Sequence, residues 1–298
     1  MIYDIKLNIH YAYSAAAAGG RQLLRIMPLD ETGRQKVISA SVRIAPEPAE
    51  RRSWTDFFGN ATIEFALRGA HDTVDLTLMA RVERADTDPE TDPGTSVALG
   101  KLPSVLRACR DLGPASPLHF IAASPRVPEL PQIADYARKV AAVLSGDPTT
   151  LHTVMAIGTA LHRDISFDAR ATTVDTPLAE AFAHRRGVCQ DMSHIMIGAL
   201  RSLGIPAGYV SGFLRTRPPP GRPRLEGADA MHAWVRAWCG PQAGWLDYDP
   251  TNDCVAGPNH VVVARGRDYA DVSPVKGILR VAGGQTSRQA VDVIPLQS

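Results

Sequence analysis

The chain has 298 residues, with 32 Lys and Arg against 31 Asp and Glu, and 45% of its residues are hydrophobic. That apolar share excludes a chain dominated by disorder, and the formal net charge of +1 removes the basic surplus expected of a nucleic-acid or anionic-membrane binder. Four cysteines, Cys109, Cys189, Cys239 and Cys254, are too sparse for a disulfide framework in a chain of this length.

The first ten residues alternate apolar and polar side chains as a half-buried strand does, without the basic and apolar regions of a signal peptide. No apolar run approaches the roughly 18 residues of a membrane-spanning helix. Reduced thiols in the cytoplasm, with no nucleic-acid or membrane partner, are the expectation. Short alternating stretches follow at residues 5–13, 23–27, 37–44, 61–67 and 74–82, separated by Gly, Pro and Asp turn signals. Residues 1–85 therefore read as an antiparallel β-sandwich, with the tetra-alanine at 15–18 as a loop. Residues 86–94, rich in acid, Pro and Gly, read as a linker to a second domain at 95–298.

Beyond the linker the period turns helical. Ile133, Ala137, Val140, Ala141 and Leu144 share one face, and Leu151, Val154, Met155 and Leu161 lie along a second helix. Strand-like runs return at 208–214, 232–238, 245–249 and 260–264. Helices first and strands afterwards, without βαβ alternation, give an α+β domain. The one biased tract is a Pro/Arg-rich loop at 215–227.

Thr176-Pro177 signals a short helix that breaks near Gly187. A second helix then carries Met192, Ile195, Met196, Ala199, Leu200 and Leu203 on one face and ends at Gly204. Cys189 falls in its first turn, where orphan amides and the helix dipole favour negative charge on sulfur. From position alone it reads equally as a nucleophile or as a small buried packing residue.

A thiol nucleophile needs a base, and the base needs an orienting group. In Met231-His-Ala-Trp-Val-Arg-Ala-Trp238, His232 alternates onto one face with Trp234, Arg236 and Trp238. Trp245-Leu-Asp-Tyr-Asp249 places Asp247 and Asp249 on one face, and the turn at 240–244 joins the two runs as a hairpin. A loop centred between Cys239 and Gly244 sets Arg236 opposite Asp247 and makes Asp249 a diagonal neighbour of His232, typically about 7–8 Å between backbones. Asp249 is then the orienting candidate, and Asp247 an ion-pair partner of Arg236.

The run from Thr173 through Arg186-Gly-Val-Cys-Gln-Asp191 to His194, the segment Leu200-Arg-Ser-Leu-Gly-Ile-Pro206, and the motifs Met231-His-Ala-Trp234, Gly244-Trp-Leu-Asp-Tyr-Asp-Pro-Thr-Asn252 and His260-Val-Val-Val-Ala-Arg-Gly-Arg-Asp-Tyr269 resemble the bacterial transglutaminase-like superfamily. Leu23-Leu-Arg-Ile-Met-Pro28 and Asp56-Phe-Phe-Gly-Asn60 resemble the β-domain that precedes this core in many bacterial members. The resemblance implies a papain-like core of helices packed on an antiparallel sheet. It also implies Cys189 as nucleophile, His232 as general base and Asp249 as orienting residue, acting on a peptide, protein or glutamine-type carboxamide without a cofactor or metal. Three departures stand out: Gly208 where arginine is common, Val188 where a small polar residue often precedes the cysteine, and Phe167 where tyrosine is frequent.

The expected activity is amide acyl transfer through a thioester, with hydrolysis favoured over cross-linking. A catalytically silent peptide-binding module is the alternative. A zinc site drawn from Cys189, Cys239, Cys254, His232 or His260 is a third reading, opposed by the lack of C-x-x-C or His pairs at helical spacing.

Overall fold

The computed structural model describes residues 1–85, 93–216, 227, 229–280 and 283–296. The chain builds two antiparallel sheets with helices gathered on the second. In chain order, β1 (Ile2–Leu24), β2 (Gln35–Ala45), β3 (Glu50–Thr55) and β4 (Ala61–Arg84) come first. Next are α1 (Leu102–Ala108), α2 (Pro131–Ala142), α3 (Thr150–Asp164), β5 (Ser166–Phe167), α4 (Leu178–His184), β6 (Arg186–Gly187) and α5 (Cys189–Ser202). Then β7 (Ala207–Leu214), β8 (Ala230–Trp238), β9 (Trp245–Asp249), β10 (Cys254–Val255), β11 (His260–Gly266), α6 (Tyr269–Val272), β12 (Val275–Leu279) and β13 (Gln285–Leu296) complete the chain.

The first sheet is built on two long strands. β1 and β4 pair from Ile2–Glu83 to Leu24–Ile63, with register shifts between Ala12 and Ala17 and again between Ala18 and Gly20. The tetra-alanine expected as a loop is thus an irregular stretch inside β1, and the separate stretches 61–67 and 74–82 are one strand. Continuous pairing absorbs Gly19 and Gly69, both at positive φ, as local irregularities rather than chain reversals. β3, Glu-Arg-Arg-Ser-Trp-Thr, is exposed along its length. It carries no apolar alternation by which to read it.

Residues 275–296, grouped with the second domain by sequence, join this first sheet. β13 pairs with β1 from Ile2–Leu296 to Tyr13–Gln285, and β12 pairs with its far end. β1 would otherwise leave a long open edge, and the returning chain covers it. Of the expected linker only residues 93 and 94 lie among the described residues, and most of the Pro/Arg-rich loop lies outside them.

The second sheet has the order β10-β9-β8-β7-β11, every pair antiparallel. α5 packs against β7 and β8 and is flanked by α2, α3 and α4. It is buried from Asp191 to Ile197 and again from Ala199 to Arg201, so it is a central helix rather than an amphipathic surface one. Among the described residues no helix is long and apolar enough to cross a membrane.

The two sheets meet along the outer edge of β11. Gln35 is buried and its side-chain amide behaves as a surrogate strand. It donates to the Val262 carbonyl at 2.8 Å and accepts from the Val262 N–H at 2.9 Å. Asn60 treats Arg265 in the same way, at 2.8 and 2.7 Å. An edge that would expose unpaired amides is thereby closed by side chains of the first sheet.

Tight packing also fixes the strand that leads into Asp249. A Cβ on Gly158 of α3 would lie 2.1 Å from the Tyr248 ring, and Tyr248 is itself buried. Gly158→Ala is expected to destabilise the fold by about 1–3 kcal/mol through overpacking. Urea unfolding measures it, and an unchanged midpoint would contradict this packing.

Candidate active site

Cys189 is the first residue of α5, and the backbone before it explains why the helix starts there. Arg185 adopts the left-handed region at φ 52 and ends α4, two residues before the break expected at Gly187. The chain then pairs β6 with β5 in parallel and enters the helix from an extended Val188. Asp191 secures the first turn: its Oδ2 accepts the Val188 N–H at 2.8 Å and the Thr172 hydroxyl at 2.6 Å. A Cβ on Gly187 would lie 2.6 Å from that oxygen, so glycine is what lets the carboxylate reach the backbone. A buried acid in the first turn also complements the helix dipole.

His232 lies on β8, and Asp249 ends β9. The hairpin register has Arg236 opposite Asp247 and Val235 opposite Tyr248, the pairing that the loop length predicts. The ladder stops at Val235–Tyr248 and leaves Asp249 at the strand end. Its Oδ2 lies 2.7 Å from His232 Nε2. The expected Arg236–Asp247 ion pair is replaced: Arg236 lies over the Trp245 ring at 4.3 Å, and Asp247 contacts Arg265 at 3.8 Å. The Trp245 ring offers the buried guanidinium a face to stack on.

Asp249 is fully buried, and both of its oxygens are saturated with donors. Oδ1 accepts two main-chain N–H groups of the following turn, from Thr251 at 2.9 Å and from Asn252 at 3.2 Å. Oδ2 accepts from His232, from Asn252 Nδ2 at 2.7 Å and from His260 Nε2 at 3.1 Å.

Burial alone would raise the Asp249 pKa, but hydrogen bonds from His232, His260 and Asn252 outweigh it and hold the carboxyl well below its usual range. Burial would lower the His232 pKa, yet its hydrogen bond to Asp249 and the influence of the nearby Cys189 side chain raise it from 6.5 to about 10. Since Nε2 is committed to Asp249, Nδ1 is the ring nitrogen left for the thiol. His194 is a different case. It is buried on α5, accepts the Tyr269 N–H at 3.1 Å, and burial lowers its pKa to about 4, so it serves as a neutral acceptor.

Cys189 is half-buried, whereas Cys239 is buried and burial pushes its thiol up to about 12. Phe167 is 59% exposed and pairs in register with Gly187, two residues before Cys189. Gly208 has no room for a longer side chain, because a Cβ there would lie 2.7 Å from Phe120.

Sequence reasoning gives Asn252 and His260 no part in the triad, although both stand in its motif runs. An Asp-Pro-Thr-Asn turn signals Asn252, whose amide can fold back onto the aspartate. Nothing local signals His260, which arrives from β11.

Among the described residues, one group of metal-type ligands converges: His232, Asp249 and His260, within 4.8 Å of one another. It includes none of the cysteines of the zinc reading. The Gly257 N–H donates to His260 Nδ1 at 3.2 Å, which places the ring proton on Nε2, facing Asp249. A metal on Nε2 would have to displace that proton while Nδ1 stays an acceptor, so the hydrogen bonding fits a donor to Asp249 better than a metal ligand.

Comparisons with known proteins show the family and the fold. Residues 137–250 match the Transglutaminase-like superfamily and residues 3–83 the Bacterial transglutaminase-like N-terminal region. The chain is 33% identical over 309 residues to an uncharacterized protein of Mycobacterium tuberculosis, covering 99% of this chain and 93% of that protein. It is 30% identical over 289 residues to one of Mycobacterium leprae, covering 96% of each. The crystal structure of a candidate cysteine protease from Cytophaga hutchinsonii has a TM-score of 0.71 at 19% identity, covering 100% of this chain and 92% of that one. That last likeness is one of fold, α+β with an antiparallel N-terminal sheet. The chain belongs to the transglutaminase-like superfamily.

His232 binds its proton more tightly in the folded chain than in the unfolded one. Its contribution to stability is therefore full below pH 6.5 and is lost as pH rises toward about 10. Asp249 acts oppositely, contributing above the ordinary carboxylate range and losing that contribution in acid. Urea unfolding across pH is expected to show stability falling over the His232 window, with His232→Gln flattening the decline. An equally steep decline in the variant would contradict the assignment.

Proposed function

We propose that the protein is a thiol-dependent amide hydrolase acting on a peptide, protein or glutamine-type carboxamide, with Cys189 as nucleophile, His232 as general base and acid, and Asp249 as orienting residue. The observation that supports this reading is the position of His232, bonded to Asp249 at 2.7 Å and close enough to the Cys189 side chain at the start of α5 to be influenced by it electrostatically. His232 takes the Cys189 proton and holds it as imidazolium, which leaves sulfur a thiolate. Sulfur attacks the carbonyl carbon, and the carbonyl electron pair moves onto oxygen. The main-chain N–H of Cys189, one of the amides a helix start leaves unpaired, is an oxyanion donor. The C–N bond then breaks as the imidazolium protonates the departing amine, leaving a thioester and a neutral His232. Water, deprotonated by His232, attacks the thioester and releases the acid and the thiol. An amine in place of water would give a new amide by the same steps.

The test couples reactivity to turnover. Iodoacetamide near neutral pH is expected to label Cys189, with His232→Ala slowing labelling at least about tenfold. A panel of glutamine peptides should release ammonia or be cleaved, and Cys189→Ala should abolish it; an added amine incorporated in place of water would redirect the reading to transfer. Labelling indifferent to His232 would refute the catalytic role.

A further inference from the structure

We propose that His260 is a positioning residue, which fixes the Asp249 carboxylate so that its Oδ2 is aimed at His232; this rests on the catalytic reading above. A carboxylate at the end of a strand can rotate about its Cβ–Cγ bond, and a rotated Asp249 would lose the 2.7 Å contact with His232. Two turn amides hold Oδ1. On the Oδ2 side, Asn252 comes from the same turn and moves with it, whereas His260 comes from β11. Apart from His232 itself, His260 is therefore the donor that ties Oδ2 to the sheet.

The ring is held for that task. The Gly257 N–H occupies Nδ1 at 3.2 Å, and Trp234 meets the ring edge to face with centroids 5.2 Å apart. Trp234 also stands 6.3 Å from the His232 ring, so one indole packs beside both histidines. Its close fit is shown at Gly212, where a Cβ would lie 2.3 Å from the indole. His260 is buried, with Nδ1 already used, which leaves it a fixed neutral donor rather than a second base.

The experiment compares wild type, His260→Gln and His260→Phe. Glutamine places an N–H near the position of imidazole Nε2, and phenylalanine fills the space without a donor. Iodoacetamide labelling of Cys189 is expected to fall about tenfold in His260→Phe and to stay within about twofold of wild type in His260→Gln. If His260→Phe does not fold, His260→Asn, too short to reach Oδ2, takes its place. Imidazole ¹⁵N NMR of wild type should show His260 neutral and protonated on Nε2. Equal loss in the glutamine and phenylalanine variants, wild-type labelling without the donor, or a proton on Nδ1 would overturn the proposal. Should wild-type labelling ignore His232, the catalytic reading falls, and the NMR result still decides how His260 faces Asp249.

Discussion

A buried carboxylate that must stay charged is the constraint around which the second half of this molecule is arranged. Asp249 has no exposed surface, and removing such a charge from water is unfavourable unless every lone pair finds a donor. Five donors meet it, from β8, from β11 and from the turn that follows β9. The cost of burial is thus offset by an arrangement that also orients His232.

Those donors depend on structure well beyond the site. β8 and β9 hold His232 and Asp249 in register, while β11 brings His260 to the carboxylate from another strand. β11 is an edge strand, and Gln35 and Asn60 from the first sheet complete its hydrogen bonding. Arg84, at the end of β4, donates to the Gly257 carbonyl at 3.1 Å, and the Gly257 N–H donates in turn to His260. The N-terminal sheet therefore touches the segment that supports the second histidine, rather than only packing beside the core.

Much of the site is legible in the sequence because it is local. The cysteine after Gly187 sits at a helix start, and the hairpin loop sets the register that separates Asp249 from Asp247. The long-range partners are not legible. β12 and β13 carry weak alternation and find their place only by covering β1, and His260 acquires its role from a separate strand, 11 residues beyond Asp249 in sequence. The Arg236–Asp247 pairing illustrates the limit: the register holds, but an aromatic ring and another arginine, neither adjacent in sequence, redirect both side chains.

The central claim is that Asp249 keeps His232 protonated beside the thiol. Imidazole ¹⁵N NMR across pH reads this directly. The account predicts a His232 ring carrying protons on both nitrogens through neutral pH, and a neutral ring in Asp249→Asn. A wild-type His232 that is neutral at pH 7, titrating near its ordinary 6.5, would contradict it.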